Sequence, residues 1–297
     1  MKKYLLTAVG IAILIGGWSV TASSMLAQRT PVAETASGQH ITLPPLNSSH
    51  FLLVDWNQQQ ILAQKGAQER IYPASLTKLM TVYTALQHLD DLHHGVIIPE
   101  GTKERFAIEG AATVGFNDGE WVSVRDLLYG TMLASGADAV SALTVAVAGS
   151  EEAFVEMMNE EAARIGMKHT HFTNATGLHD NHLYTTLSDL YKLMQVAMQD
   201  EDFRIIFTTR EYMAYPGQHL DGLLIESTLF RNLTADTVIQ GGKTGYTEEA
   251  GQALVSLAHI DNNAYLLLTA GADGNPEYQD TKHIDDAIAV YQMLQQP

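Results

Sequence analysis

The chain has 297 residues, 46% of them hydrophobic and 17% charged, so it can bury the core of one large domain or of two lobes. Its formal net charge of −17 argues against nucleic acid as a partner and disfavours electrostatic adhesion to anionic lipid. The chain contains no cysteine, which excludes disulfides, thiol catalysis and cysteine-ligated zinc.

Residues 1–27 have the layout of an export signal. Lys2 and Lys3 precede an uncharged run over 4–20, and small residues follow over 21–24. This order is typical of a signal peptide, although the run is also just long enough for an N-terminal membrane anchor. With either outcome, we expect the body of the chain to be exported and then secreted or tethered.

A polar, proline-interrupted segment over 28–48 predicts a linker before a domain at 49–297. Within that domain, hydrophobic periodicity predicts strands over 51–55, 61–64, 243–246, 252–259 and 265–270, and helices starting near Ser75 and over 124–148 (broken near Ser135), 151–166 and 278–294. The two ends of the chain supply strands and the middle supplies helices. We therefore expect an α/β (α+β) domain with a sheet lobe, a helical lobe and a ligand cleft between them.

Ser75 and Lys78 are one helical turn apart, so their side chains share a helix face. A serine so placed can pass its proton to a neutral lysine and attack a carbonyl carbon. The residues over 72–81 are mostly apolar or small, so partial burial would lower the pKa of Lys78 and favour its neutral form. The alternative for this motif alone is a capping serine followed by a solvated lysine.

Lys243, Thr244 and Gly245 form another short motif, on a predicted edge strand. The lysine would offer positive charge to a substrate carboxylate and would lower the pKa of Lys78 by like-charge repulsion. Thr244 can hydrogen-bond the same carboxylate, and Gly245 would let a ligand backbone approach closely. The alternative is an ordinary strand with a solvated lysine.

Five sequence blocks together resemble one family, the D-alanyl-D-alanine carboxypeptidases of the low-molecular-mass penicillin-binding proteins. The blocks lie over 73–81, 126–130, 135–139, 174–178 and 243–251, in the family's order and approximate spacing. The resemblance covers about 48–290 and implies a β-lactamase/DD-peptidase-like fold. That fold has an antiparallel sheet flanked by helices and a helical lobe, with the active site in the cleft between them. It implies no cofactor and no metal.

The resemblance implies a hydrolase of cell wall metabolism, a serine carboxypeptidase that removes the last D-alanine from a peptidoglycan stem pentapeptide. Ser75 would be the acylated nucleophile, Lys78 its general base, and Ser135 the group that relays the proton toward the leaving group. Water would then hydrolyse the acyl-enzyme. The site of action would be extracytoplasmic, at the cell wall or periplasmic face.

The resemblance also assigns the binding residues. Lys243 and Thr244, followed by Gly245, would hold the terminal carboxylate of the substrate, and the backbone N–H groups of Ser75 and Tyr246 would form the oxyanion hole. The implied partners are the peptidoglycan stem peptide and, as covalent inhibitors of Ser75, the β-lactams.

Ala137 stands where the family usually has asparagine. Without the amide, one hydrogen bond worth about 1–3 kcal/mol would be lost. Acylation would then be slower but not abolished. Asp138 is expected to be structural. No arginine of this chain can be matched to the one that assists carboxylate binding in the family.

Three alternatives stay open. A serine β-lactamase would need a base for the deacylating water, but the segment 175–182 has no glutamate, and Glu248 and Glu249 are typical of a solvated turn. A zinc peptidase would need a ligand spacing that the 12 histidines do not show. A membrane-tethered, non-catalytic peptidoglycan or β-lactam binder has Ala137 as its only support.

Overall fold

The computed structural model describes residues 41–275 and 280–296. The predicted export signal and the predicted linker up to residue 40 lie outside the described residues, as does Tyr278 at the predicted start of the last helix. The described residues belong to one compact unit. Within that part of the chain, no helix has the length and apolar character needed to cross a bilayer.

The described residues form the following strands and α-helices in chain order. The strands are β1 (His50–Asp55), β2 (Gln60–Lys65), β3 (Gly95–Ile97), β4 (Trp121–Ser123), β5 (Glu211–Ala214), β6 (Leu223–Glu226), β7 (Ile239–Thr247), β8 (Gly251–Ile260) and β9 (Asn263–Ala272). The α-helices are α1 (Thr77–His88), α2 (Thr102–Glu109), α3 (Val124–Met132), α4 (Ala137–Ala148), α5 (Glu151–Ile165), α6 (Leu187–Ala197), α7 (Glu201–Thr208) and α8 (Lys282–Leu294). Short 3-10 turns over Ala74–Leu76 and Phe230–Asn232 precede α1 and β7.

An antiparallel sheet in the order β2-β1-β9-β8-β7 combines strands from early and late in the sequence. β1 pairs with β9, where Leu53 lies opposite Leu267. β7 lies at an edge of the sheet, as predicted for the strand of Lys243. The turn between β8 and β9 consists of Asp261 and Asn262, with φ of 49° and 67°. The predicted sheet lobe is therefore confirmed, with the predicted turn shortened because Asn263 joins β9.

Alternate residues of the sheet face two different cores. Leu52 and Val54 pack with α1 and the helical lobe, while Leu53 faces the opposite side. On that side, α8 covers the sheet with Ile284 and Tyr291, among others. At the edge of this sheet, β7 packs against the 3-10 turn that precedes α1.

The helical lobe has the predicted break at Ser135. Ser123 Oγ caps α3 by accepting a hydrogen bond of 3.1 Å from Asp126 N, and α4 begins immediately after Gly136. The predicted helix over 151–166 corresponds to α5. Three helices and two small two-stranded sheets were not predicted: α2, α6, α7, β3–β4 and β5–β6.

The last residues of the predicted linker pack on the domain. Ile41 N donates to Leu62 O at 3.4 Å beside β2. Ser48 N and Ser48 Oγ both donate to Asp286 Oδ2 of α8, at 2.8 and 2.6 Å. The described part of the segment 28–48 therefore differs from the prediction, because its apolar side chains join the core between the sheet and α8.

Candidate active site

Ser75 and Lys78 meet where the 3-10 turn passes into α1. Lys78 Nζ donates to Ser75 Oγ at 3.2 Å and to Thr176 O at 2.5 Å. Lys78 is only 3% exposed, and burial lowers its pKa to about 7, against an opposing effect of the Asp138 charge. A substantial fraction of this lysine is therefore a neutral amine near neutral pH. That is the form able to take a proton from the serine.

The loop over 174–178 forms one wall of this pair. Asn174 Oδ1 accepts from Gly177 N at 2.7 Å and from Thr176 N at 3.2 Å, which orients the Thr176 carbonyl toward Lys78. Gly177 has φ +83°, and a Cβ placed on it would lie 1.9 Å from Ala74 O. The loop thus touches the backbone beside Ser75 where only glycine fits. From the sequence, this block contributed to the family resemblance and had no predicted part in the site.

Ser135 faces the same cleft from the junction of α3 and α4. Its φ of 62° lies in the left-handed region, which is costly for a residue with a Cβ. Its buried Oγ has no hydrogen-bond partner among the described residues. The hydroxyl is therefore placed by the backbone and left for a ligand, which is consistent with its predicted proton-relay role.

Asp138 has the structural role that was expected. Its carboxylate accepts from the backbone N–H groups of Val114, Gly115 and Phe116 at 2.9–3.0 Å. These bonds hold the loop after α2 against α4, and the start of that loop lines the cleft. Ala137, one residue earlier, is buried and donates its backbone N–H to Ala112 O at 2.8 Å.

Lys243 on β7 differs from the prediction in its exposure and in its effect on the pKa of Lys78. It is 1% exposed and does not line the cleft, and its Nζ donates to Thr244 O at 2.9 Å. Its pKa is lowered well below the usual value, first by burial and then by the charge of Lys78. The low pKa of Lys78 arises from its own burial, so the predicted effect of Lys243 on Lys78 is not the cause.

Thr244, Gly245 and Tyr246 line the same cleft as Ser75 and Lys78. Thr244 Oγ1 is 2.7 Å from Thr228 Oγ1, on the segment before β7. A Cβ on Gly245 would lie 3.2–3.3 Å from backbone atoms of the turn that carries Ser75. Gly245 therefore permits a close approach to the protein's own backbone, where the sequence led us to expect a ligand. The oxyanion hole of Ser75 and Tyr246 remains a prediction.

The cleft has a volume of about 560 Å³ and brings together every predicted site residue except Lys243. Sequence reasoning missed five other residues that line the cleft: Thr228, Arg231, Asn232, Thr281 and His283. Arg231 comes from the 3-10 turn before β7, and His283 comes from the start of α8. Among the described lining residues there is no aspartate or glutamate.

Comparison with known proteins is consistent with this geometry. A family model described as D-alanyl-D-alanine carboxypeptidase matches residues 36–274. The chain is 31% identical to the D-alanyl-D-alanine carboxypeptidase DacF of Bacillus subtilis, covering 81% of this chain and 62% of that protein. It is 30% identical to DacD of Escherichia coli, covering 77% of this chain and 60% of the relative. The chain thus spans about three fifths of the length of these relatives.

Solved structures of the same class share the fold. The Streptomyces K15 DD-transpeptidase superimposes with a TM-score of 0.76 at 25% identity, covering 85% of this chain and 98% of that one. A D-alanyl-D-alanine carboxypeptidase from Mycobacterium tuberculosis gives a TM-score of 0.73 at 25% identity, with coverages of 86% and 93%. The DD-peptidase-like fold is therefore confirmed, and the chain belongs to the D-alanyl-D-alanine carboxypeptidase family of serine peptidases.

Proposed function

We propose that the protein is a serine D-alanyl-D-alanine carboxypeptidase that removes the terminal D-alanine from peptidoglycan stem pentapeptides. The observation that carries this proposal is the contact of 3.2 Å between Ser75 Oγ and the buried amine of Lys78. This pair opens into a cleft that Thr244 also lines. Family membership supports the same substrate class.

The reaction begins when Lys78 Nζ takes the proton of Ser75 Oγ and the oxygen attacks the carbonyl carbon of the penultimate D-alanine. The backbone N–H groups of Ser75 and Tyr246 stabilise the resulting oxyanion. As the C–N bond breaks, Ser135 Oγ passes its proton to the departing amine of D-alanine and takes the proton that Lys78 holds. Water then attacks the Ser75 ester, a proton of the water returns to Ser75 Oγ, and the shortened peptide is released.

Binding of the substrate relies on β7. Thr244 hydrogen-bonds the terminal carboxylate, while Lys243 beneath it supplies positive potential when protonated. The Lys243 amine also donates a hydrogen bond to the Thr244 carbonyl. The side chain therefore stabilises β7 in addition to contributing charge. This division of roles follows from the burial of Lys243 and the partial exposure of Thr244.

β-Lactams resemble the same peptide terminus and would acylate Ser75. Release of that acyl group requires a base for the attacking water, and no described lining residue is a carboxylate. Glu248 and Glu249 are exposed on the turn after β7, and Glu249 lies 3.6 Å from His179. We therefore expect slow β-lactam release, which disfavours a β-lactamase.

We also infer that the enzyme acts outside the cytoplasm. Residues 1–27 have the signal or anchor pattern described above, and the substrate class lies in the cell wall. Secretion after cleavage and tethering by an uncleaved segment are the two outcomes that N-terminal sequencing of the exported protein would distinguish.

The test is D-alanine release from diacetyl-Lys-D-Ala-D-Ala by the full chain, alongside Ser75→Ala and the control Ser141→Ala on the face of α4. We expect release by the wild type and by Ser141→Ala, and none by Ser75→Ala. Penicillin labelling of Ser75 without any peptide turnover would instead favour a non-catalytic binder, for which Ala137 is the motivating residue.

A further inference from the structure

His283 is a buried side chain of the cleft that the proposed mechanism does not use. It is the second residue of α8, is 3% exposed, and borders the same cleft as Ser75 and Thr244. Its backbone N donates to Gln252 Oε1 of β8 at 3.2 Å, and its ring Nδ1 lies 2.5 Å from the same oxygen. One amide oxygen therefore holds both the backbone and the ring.

This pair of contacts fixes the tautomer of the imidazole. A backbone N–H can only donate, so the Gln252 atom that faces His283 must be the carbonyl oxygen. Because that oxygen can only accept, the ring must carry a proton on Nδ1. Nε2 of the neutral ring then has a free lone pair, and no group among the described residues hydrogen-bonds it.

Burial and three charged residues set the pKa of the His283 ring. Burial is the main cause that lowers the pKa of His283 to about 4. Asp286, on the next turn of α8, and Asp280, before α8, oppose that shift, while Lys243 on β7 adds to it. Asp286 is itself held by hydrogen bonds from Asn47 and Ser48. The imidazole is consequently neutral in the empty cleft at neutral pH.

A substrate carboxylate at Thr244 would change this balance. Lys243 is covered and directs its Nζ to the Thr244 backbone, so it does not line the space where the carboxylate would lie. Besides Lys78, the basic side chains among the described residues that line the cleft are His283 and Arg231, whose Nε is 3.7 Å from Glu226 Oε2. Negative charge beside Nε2 favours the protonated ring, which can then donate from Nε2 while Nδ1–H stays on Gln252.

Building on the proposed carboxypeptidase function, we propose that His283 binds the terminal carboxylate of the substrate in its protonated form, so that carboxylate binding draws a proton from solvent into the cleft. The ring thereby supplies a second cationic ligand in a cleft that Arg231 also lines. Gln252 is the positioning residue, because its contact with Nδ1 holds the ring and leaves Nε2 as the nitrogen that can donate to the ligand.

The proposal has a defined pH dependence. Bound carboxylate raises the pKa of His283 from its value of about 4 in the empty cleft. Between the free and bound pKa values, affinity falls as pH rises, by up to about tenfold per pH unit, and above the bound pKa it levels off. The affinity for a neutral ligand of the same shape should not fall in this way as pH rises.

The experiment is calorimetric titration of the full-length Ser75→Ala protein with diacetyl-Lys-D-Ala-D-Ala, in pairs of buffers with different ionisation heats, from pH 5 to 8. Comparing the buffers counts the protons taken up. We expect uptake that His283→Asn removes, because asparagine can keep the contact to Gln252 and cannot titrate. Lys78 and Lys243 are present in both proteins, so the difference in uptake between the two proteins reports the contribution of His283. The C-terminal amide of the same peptide should show none of the His283-dependent uptake.

Gln252→Glu provides a second, opposite variant. A carboxylate beside Nδ1 raises the pKa of His283, so the loss of affinity with pH should move to higher pH. Equal proton uptake with and without His283, in proteins that bind the peptide, would overturn the proposal and leave the carboxypeptidase function intact. A folded Ser75→Ala protein that binds no peptide at any pH would overturn both.

Discussion

Lys78 Nζ and the carbonyl oxygen of Thr176 are 2.5 Å apart, and the same amine is 3.2 Å from Ser75 Oγ. An uncharged amine has two hydrogens and one lone pair. One hydrogen of the neutral amine is bonded to Thr176 O. The lone pair can then accept the proton of the Ser75 hydroxyl. The loop over 174–178 therefore sets the direction of proton transfer, although none of its side chains reacts.

Asp138→Asn should move the pH dependence of turnover to lower pH. Asp138 raises the pKa of Lys78, so neutralising it lowers that pKa and keeps the amine neutral in more acidic solution. At saturating substrate, kcat of the wild type should rise with pH, and that of the variant should rise at lower pH. Chemical denaturation should also show a loss of about 1–3 kcal/mol, because backbone N–H groups lose their acceptor. An unchanged midpoint of the kcat profile would contradict this electrostatic link.

Ala137→Asn should raise kcat/KM if the missing amide limits acylation. The expected gain is about tenfold to a few hundredfold, corresponding to one hydrogen bond of about 1–3 kcal/mol. Ala137 is buried at the start of α4, so Ala137→Leu serves as the control for added volume without an amide. Stopped-flow acylation by a chromogenic β-lactam measures the step directly. Unchanged or slower acylation by a folded asparagine variant would show that the amide is not what limits the enzyme.

Gly177→Ala should damage both stability and catalysis. The added Cβ would lie 1.9 Å from Ala74 O, so the loop or the turn of Ser75 must move. We expect a loss of at least about 3 kcal/mol in unfolding free energy and about a hundredfold loss in kcat/KM. Gly166→Ala is the matched control, because Gly166 has φ +84° and a Cβ on it would have no neighbour within 4 Å. Its cost should be about 1–2 kcal/mol with little change in activity. Equal effects of the two substitutions would contradict the steric argument.

Ser135→Gly and Ser135→Ala should separate backbone strain from chemistry. Both remove the hydroxyl and should reduce D-alanine release to a similar extent. Glycine accepts the φ of 62° without penalty, whereas alanine does not. The glycine variant should therefore unfold at a higher temperature than the alanine variant, by an amount equivalent to about 1 kcal/mol. The reverse order of melting temperatures would mean that the left-handed conformation is not strained.

The sequence predicted those parts of the site whose residues are near one another in the chain. Ser75 and Lys78 share a helix face by spacing alone, and the apolar character of β1, β8 and β9 is strong because both faces of the sheet are buried. The break at Ser135 also followed from local composition. α6 could have been found as well, since Thr186 caps it by accepting from Asp189 N at 3.0 Å and its apolar residues recur at helical spacing.

Residues that the fold brings from far away could not be predicted in this way. His283 enters the cleft because α8 packs across the sheet, and nothing near His283 in the sequence indicates that contact. The burial of Lys243 has the same origin, since a lysine on an edge strand is usually solvated and here it is covered. Packing between distant segments decides the charge of both groups, and therefore the electrostatics of carboxylate binding.

Pairing of β1 with β9 also has a consequence for folding. His50 pairs with Ala270, so almost the whole described chain must be available before the central strand pair can close. Contacts between such distant segments slow folding, because a long loop must be ordered first. β7, which lines the cleft beside Ser75, reaches the rest of the sheet only through β8 and β9. Ser75 and Lys78 are thus synthesised early, whereas β7 joins the sheet among the last steps. A partly folded chain would therefore carry the nucleophile without the strand that binds the substrate.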